Sequence, residues 1–211
     1  GCLNNFDVFS LKDKEDFLPG MEAWLPLAPP GRFPIPHKDV VYRSSAVAIV
    51  LFPVNNTLNT LVLIRTHNEQ DQHSGQISFP GGKAESSDPD TVFTALRELE
   101  EETGIVLSRD NFIGRMTRLA IPISRFEVDP ILFYVDVLPE ISLSQDEAKA
   151  FYILPLNTIP WHHIPTMDIH QHGVILKDIP YLTMIHHVPL WGATAMMLAE
   201  LEGWIQRVQN I

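Results

Sequence analysis

Three glutamates near the end of one predicted helix are the residues best placed for chemistry. Glu98, Glu101 and Glu102 are spaced so that a helix puts them on one face, with Cβ atoms roughly 5–6 Å apart. Like charges at this spacing repel one another, and the negative end of the helix dipole adds to the cost. Clustered carboxylates suit hard cations such as Mg²⁺, so the pattern indicates a metal site, with a solvated acidic face as the alternative.

The helix that carries these glutamates is predicted over residues 89–103. Asp88 is a suitable N-cap, Pro89 suits the first helical position, and Gly104 can end the helix. Upstream, the glycine pair at 81–82 permits backbone conformations that other residues avoid, and it lets a ligand approach the chain closely. The sequence therefore predicts a glycine turn beside a helix that bears carboxylates.

This segment resembles the Nudix box, the signature of Mg²⁺-dependent hydrolases of nucleoside diphosphates linked to another group. The matching residues are Gly82, Arg97, Glu98, Leu99, Glu101, Glu102, Gly104 and Ile105. The resemblance implies an α/β fold of the Nudix type, an α/β/α sandwich with a mixed central sheet. It also implies that Mg²⁺ or Mn²⁺ is held by Glu98, Glu101 and Glu102, with Gly82 as a further ligand. Arg97 is expected to orient one of the glutamates through a charge-assisted hydrogen bond.

One spacing departs from the common box and is typical of a single branch. Gly82 and Arg97 are one residue further apart than in the common pattern, so Asp88 stands in for the first acid of the box. The coenzyme A pyrophosphatase branch has this longer spacing. Further similarity to that branch lies in Ser87–Asp88 and in the runs 73–82, 94–98 and 191–195. The resemblance implies hydrolysis of coenzyme A or its derivatives to 3′,5′-ADP and (acyl-)phosphopantetheine.

The arginines that precede the box in that branch are altered here. Thr66–His67 and Asp71 occupy the positions of an Arg-Ser pair and a later Arg. The remaining candidates for binding substrate near the box are Arg65, His73, Gly81 and Gly82. The alternative substrates are ADP-ribose, a dinucleotide polyphosphate or a nucleoside triphosphate. An alternative of another class is a Nudix-like domain that senses a nucleotide without hydrolysing it.

The remaining elements position this site. Strands are predicted at 45–54, 60–66, 112–120, 130–138 and 148–156, and helices at 10–18 and 190–208. Residues 1–44, with a Pro-rich connector at 19–36, are interpreted as an N-terminal extension that packs on a Nudix domain at 45–211.

Three further residues are candidates outside the box. Arg125 and Glu127 lie on a predicted loop at 121–129, where either can face substrate. Glu147 precedes the strand at 148–156 and is a candidate for a further acid near the metals. The general base is either a helix glutamate or Glu147, because a base needs reach before it needs a matched pKa.

Composition excludes several classes of protein. With 211 residues, of which 45% are hydrophobic, the chain can form one well-buried domain. A formal charge of −11 argues against broad capture of nucleic acid. No apolar run approaches the ~20 residues of a membrane span, and the start lacks a signal-like segment. Cys2 is the single cysteine, which fits a reducing cytoplasm. We expect a nucleoside diphosphate as the partner, neither nucleic acid nor a membrane, and allow for a homodimer.

Overall fold

The computed structural model describes residues 5–67, 70, 73 and 75–211. In this part of the chain one sheet contains β1 (Arg43–Val54), β2 (Thr57–Arg65), β3 (Ile77–Ser78), β4 (Gly81–Lys83), β5 (Phe112–Arg115), β6 (Leu119–Ile121), β7 (Phe126–Tyr134) and β8 (Ala148–Pro155). A second sheet contains β9 (Thr166–Gln171), β10 (Val174–Ile185) and β11 (Val188–Trp191). The helices are α1 (Met21–Trp24), α2 (Thr91–Thr103) and α3 (Gly192–Gln209). None of these helices is both long and apolar enough to cross a membrane.

The central strand β1 explains the layered architecture. It pairs in parallel with β7 and antiparallel with β2 and β4, so the sheet is mixed. Successive side chains of a strand point to opposite faces. Accordingly, Ala48 and Val50 pack with Leu99 of α2, whereas Ile49 and Leu51 join the core that includes α3. Both faces of β1 are therefore buried, and the predicted α/β/α sandwich is confirmed.

The predicted start of the glutamate-bearing helix is wrong by two residues. α2 begins at Thr91, and Asp90 is its N-cap because the Asp90 carboxylate accepts a hydrogen bond from the Phe93 amide at 2.9 Å. Asp88 does not cap the helix; it binds Arg97 instead. The predicted end is confirmed, since Gly104 has a φ of 72° and caps the C-terminus.

Other predicted boundaries also differ from the structure. Residues 10–18 do not form one helix, because Val8–Leu11 and Glu15–Phe17 are separate 3₁₀ turns. The predicted strand at 112–120 is divided into β5 and β6. The predicted loop at 121–129 is shorter, because β7 already begins at Phe126, where it pairs with both β1 and β6. The last helix begins at Gly192, two residues later than predicted, because the chain up to Trp191 belongs to β11, which pairs with β10.

The N-terminal segment packs against α3. Leu11, Trp24 and Leu27 are buried in the same core as the apolar side of that helix. The indole Nε1 of Trp204 donates a hydrogen bond to the Lys14 carbonyl at 2.8 Å. The buried carboxylate of Glu200 accepts hydrogen bonds from the backbone amides of Gly20 and Thr117, both at 3.1 Å. The segment thus contributes to the core on which the sheet rests.

We expect Leu11→Ala or Leu27→Ala to lower the free energy of unfolding by about 2–5 kcal/mol, since each removes a fully buried side chain from this core. The measurement is urea denaturation followed by tryptophan fluorescence. Leu25→Ala is the matched control, because Leu25 is 51% exposed, and it should change the unfolding free energy by less than about 0.5 kcal/mol. Equal effects of the buried and the exposed substitutions would contradict this packing.

Candidate functional site

Three carboxylates from two parts of the chain converge at the end of α2. Glu98 and Glu102 come from the helix, and Glu147 comes from the turn before β8; oxygen atoms of the three lie within 4.8 Å of one another. The backbone fixes this approach: the Thr66 amide donates to the Glu147 carbonyl, and the Ser144 amide donates to the Glu102 carbonyl, both at 2.9 Å. The structure therefore brings Glu147 to the predicted helix glutamates.

The glycine pair allows the chain to pass directly beneath these carboxylates. A Cβ atom on Gly82 would lie 2.4 Å from the carboxyl carbon of Glu98. A Cβ atom on Gly81 would lie 2.4 Å from the backbone oxygen of Ala46, on the neighbouring strand. The Gly81 amide also donates to the Glu102 carboxylate at 3.3 Å. Any side chain at 82 would occupy the space of the Glu98 carboxylate, which explains the requirement for glycine.

Arg97 is held between acids on both sides. Its guanidinium donates to both carboxylate oxygens of Asp88, at 3.1 and 2.9 Å, and to Glu98 at 3.0 Å. These hydrogen bonds lower the pKa of Asp88 to about 2, and Thr94 adds a further bond to the same carboxylate at 2.9 Å. Arg97 is therefore fixed in place and contacts the back of Glu98, a geometry that agrees with the predicted orienting role.

Burial makes the carboxylate group energetically unfavourable without a cation. Glu102 is only 2% exposed, and burial, followed by repulsion from Glu147, raises its pKa to about 8. Burial also raises the pKa of Glu98, although Arg97 opposes the shift. Desolvated carboxylates of this kind favour protonation or a cation. Three convergent carboxylates form an oxygen-only donor set, which fits Mg²⁺ or Mn²⁺.

Glu101 is arranged differently from its two neighbours. Its carboxylate lies 3.3 Å from the Arg97 guanidinium and its side chain is 53% exposed. It lines the cavity described next but lies outside the three-carboxylate group. The prediction that Glu101 holds a metal therefore remains a prediction.

A cavity of about 820 Å³ opens beside the carboxylates. Of the predicted site residues, it is lined by Arg65, His73, Gly81, Gly82, Arg97, Glu98, Glu101 and Glu147. Arg125 and Glu127 do not line it. Arg125 is in the turn between β6 and β7 with a φ of 56°, and the Glu127 carboxylate lies 3.7 Å from Arg118. The early start of β7 explains the position of Glu127: Phe126 and Val128 line the cavity, and the alternation of side chains along a strand places Glu127 on the opposite face.

Sequence reasoning missed residues that also line the cavity. Lys83 directly follows the glycine pair, so its position next to the box could have indicated it. Arg32 and His37 come from the N-terminal connector, and no local pattern links them to the box. Asp71 and Ser74, which belong to the upstream comparison with the coenzyme A branch, lie outside the described residues.

Comparison with known proteins agrees with this arrangement. Residues 42–173 match the family model of the NUDIX domain. The chain is 30% identical over 167 residues to the protein described as uncharacterized Nudix hydrolase NudL of Yersinia pestis (strain Pestoides F), covering 78% of this chain and 82% of that one.

Solved structures share the fold. A MutT/nudix family protein from Enterococcus faecalis superimposes with a TM-score of 0.54 at 14% identity, covering 79% of this chain and 62% of that chain. The Nudix hydrolase RenU from M. smegmatis superimposes with a TM-score of 0.51 at 11% identity, covering 79% of this chain and 93% of that chain. These two structures show the fold alone. The match to the family model and the 30% identity to a Nudix hydrolase show that the chain belongs to the Nudix hydrolase family and is an enzyme, a pyrophosphohydrolase that acts on a diphosphate anhydride.

Proposed function

We propose that this Nudix enzyme hydrolyses the pyrophosphate linkage of coenzyme A or its derivatives, and releases 3′,5′-ADP and (acyl-)phosphopantetheine. The observation that carries the proposed chemistry is the convergence of Glu98, Glu102 and Glu147 beside a glycine pair at the edge of a large cavity. The choice of coenzyme A is supported by the longer box spacing. That spacing puts Asp88 where it binds Arg97 with two hydrogen bonds.

Glu98, Glu102 and Glu147 are the proposed ligands of Mg²⁺ or Mn²⁺, with Glu101 as a fourth carboxylate at the cavity wall. When bound, the cation supplies charge neutralisation for the diphosphate and lowers the pKa of water. Gly82 lies against the Glu98 carboxylate, so a ligand approaching the glutamates also approaches this stretch of backbone. Arg97 has a positioning role, since its contacts are with Asp88 and the glutamates.

The substrate diphosphate is expected to lie over the glycine pair, between the carboxylates and the cations that line the same cavity. Lys83 and Arg65 are the nearest such cations in sequence to the box, and His73 lines the same wall. The cavity also has apolar walls, which suit the base and the pantetheine arm. These walls include Ile121, Phe126, Trp191 and Met197.

The reaction is attack of water on one phosphorus of the diphosphate, with a phosphate group leaving. A carboxylate of the site accepts the proton of the attacking water, and the alternatives are a helix glutamate or Glu147. We place this reaction in the cytoplasm, in keeping with a single cysteine. The enzyme acts as a monomer or as a homodimer.

Replacing Glu102 with Gln should separate the effect of the carboxylate on stability from its role in Mg²⁺-dependent turnover. In the wild type without metal, folding raises the pKa of Glu102 from 4.5 to about 8. The contribution of Glu102 to the free energy of unfolding is therefore fully present below pH 4.5 and is lost as the pH rises through 8. Glu102→Gln should therefore melt near the wild-type temperature at pH 5 in EDTA and roughly 5 °C or more above it at pH 9. Its Mg²⁺-dependent turnover should fall at least about 100-fold.

Glu100→Gln is the matched control, since Glu100 is an exposed acid on the same helix. It should leave both turnover and the pH dependence of melting unchanged within about twofold and 1 °C. Full Mg²⁺-dependent turnover by Glu102→Gln would contradict the metal assignment.

The two glycines should respond differently to alanine. In Gly82→Ala the new methyl group meets the end of the flexible Glu98 side chain, so we expect at least about tenfold weaker Mg²⁺ activation with a small change in melting temperature. In Gly81→Ala the methyl group meets backbone of β1, so the melting temperature itself should fall by several degrees. Differential scanning fluorimetry and Mg²⁺ titration of turnover measure both. Wild-type Mg²⁺ activation in Gly82→Ala would refute the proposed contact.

A substrate panel tests the choice of coenzyme A. Coenzyme A, acetyl-coenzyme A, ADP-ribose and NADH are incubated with enzyme and Mg²⁺ in ¹⁸O water, and products are identified by mass spectrometry. We expect 3′,5′-ADP and a phosphopantetheine, with one ¹⁸O marking the attacked phosphorus. A rate of ADP-ribose cleavage well above the rates for both coenzyme A compounds would overturn the substrate assignment. It would leave the proposed hydrolysis of a diphosphate unchanged.

A further inference from the structure

One wall of the cavity comes from outside the region that matches the Nudix family model. Residues of the N-terminal connector line it, namely Pro29, Gly31, Arg32, Pro34 and His37. The Pro34 carbonyl accepts a hydrogen bond from the Ala120 amide at 3.1 Å, so the connector runs beside β6 at the edge of the central sheet. The family match begins only at residue 42. The N-terminal extension therefore supplies this wall from outside the residues that match the family model.

A tight turn fixes the position of Arg32 in this wall. The Arg32 amide donates to the Pro29 carbonyl at 2.9 Å, and Gly31 between them has a φ of 72°. Proline at the second position and glycine with positive φ at the third define a type II turn, and Pro30 and Gly31 fill these positions. Because such a turn is rigid, the backbone that presents Arg32 is held in place before any ligand binds.

Arg32 carries a charge that no carboxylate in the described part of the chain pairs with. Its side chain is partly buried and lines the cavity. No ion pair joins its guanidinium to a carboxylate within the described residues, whereas Arg97 and Arg118 are each paired with acids. In a chain with a net charge of −11, carboxylates are plentiful. A guanidinium that extends from a fixed turn and lines a cavity suits an anionic group with several oxygen atoms, such as a phosphate.

The sheet separates this guanidinium from the carboxylate group. β4, β1, β7, β6 and the connector are successive neighbours, as the strand pairings and the Pro34 to Ala120 hydrogen bond show. Four steps of about 4.8 Å put the connector on the order of 19 Å from the glycine pair. An arginine side chain closes only part of that distance. Arg32 therefore faces a different group from the diphosphate beside Gly82.

We propose that Arg32 determines substrate specificity by binding a phosphate monoester that is separated from the cleaved diphosphate by a sugar. This inference rests on the proposed function, because coenzyme A carries such a phosphate on the ribose of its ADP half. Arg32 is not a catalytic residue in this proposal, since it contacts a part of the substrate that does not react. It selects nucleotides that bear the extra phosphate over those that lack it.

The test compares two nucleotides that differ only in that phosphate. Dissociation constants of 3′,5′-ADP and 5′-AMP are measured by isothermal titration calorimetry for the full-length wild type, Arg32→Gln and Lys38→Gln. Lys38 is the matched control, because it is an exposed cation of the same connector that does not line the cavity. The wild type and Lys38→Gln should bind 3′,5′-ADP at least about tenfold more tightly than 5′-AMP. Arg32→Gln should bind the two within about twofold of each other.

The outcomes separate this inference from the proposed function. Equal weakening of both nucleotides by Arg32→Gln would indicate a structural role and overturn the inference, as would wild-type discrimination in that variant. Equal binding of both nucleotides by the wild type would overturn it as well. Turnover of coenzyme A tests the proposed function separately: enzyme that discriminates between the nucleotides through Arg32 but does not cleave coenzyme A would retain the inference and refute that substrate.

Discussion

Repulsion among three convergent carboxylates, two of which are shielded from water, is the interaction on which the rest of this structure depends. Glu98, Glu102 and Glu147 converge although burial already disfavours the ionised forms of the two helix residues. Charges interact more strongly where water is excluded, so this arrangement cannot arise from the side chains' own preferences. The backbone imposes it, through a capped helix on one side and hydrogen bonds from Thr66 and Ser144 on the other. The fold holds the donors together, and in the proposed function a bound cation offsets the cost.

Arg97 explains why the protein's own cation does not neutralise the group. Its guanidinium makes two hydrogen bonds with Asp88 and reaches Glu98 and Glu101 only with its remaining nitrogen. Asp88 thus neutralises much of the charge of Arg97, and the same hydrogen bonds lower the pKa of Asp88 to about 2. Glu102 and Glu147 receive no direct bond from Arg97 within the described contacts. Arg97 therefore stabilises the arrangement without filling the space a divalent cation requires.

Local patterns in the sequence predicted the parts of the fold and site that depend on neighbours along the chain. The apolar run of β1 and the spacing of Glu98 and Glu102 belong to this class. The sequence predicts Asp88 as the N-cap before Pro89, but Asp88 binds Arg97, nine residues along the chain, and Asp90 caps the helix instead.

Features that depend on pairing across the sheet were harder to predict. Glu127 is predicted on the segment between the predicted strands at 112–120 and 130–138, but pairing with two strands extends β7 through it. Arg32 enters the cavity wall from a connector that no local periodicity relates to the box. Glu147 is a candidate because its motif resembles a family pattern, and its approach to the helix glutamates depends on the pairing of β8 with β2.

The most direct test of the central claim is a crystal structure of the protein with Mn²⁺, using anomalous scattering to locate the ion. The account predicts an anomalous peak within bonding distance of carboxylate oxygens of Glu98, Glu102 and Glu147. No peak at this group at saturating Mn²⁺, or a peak bound only by other residues, would contradict it.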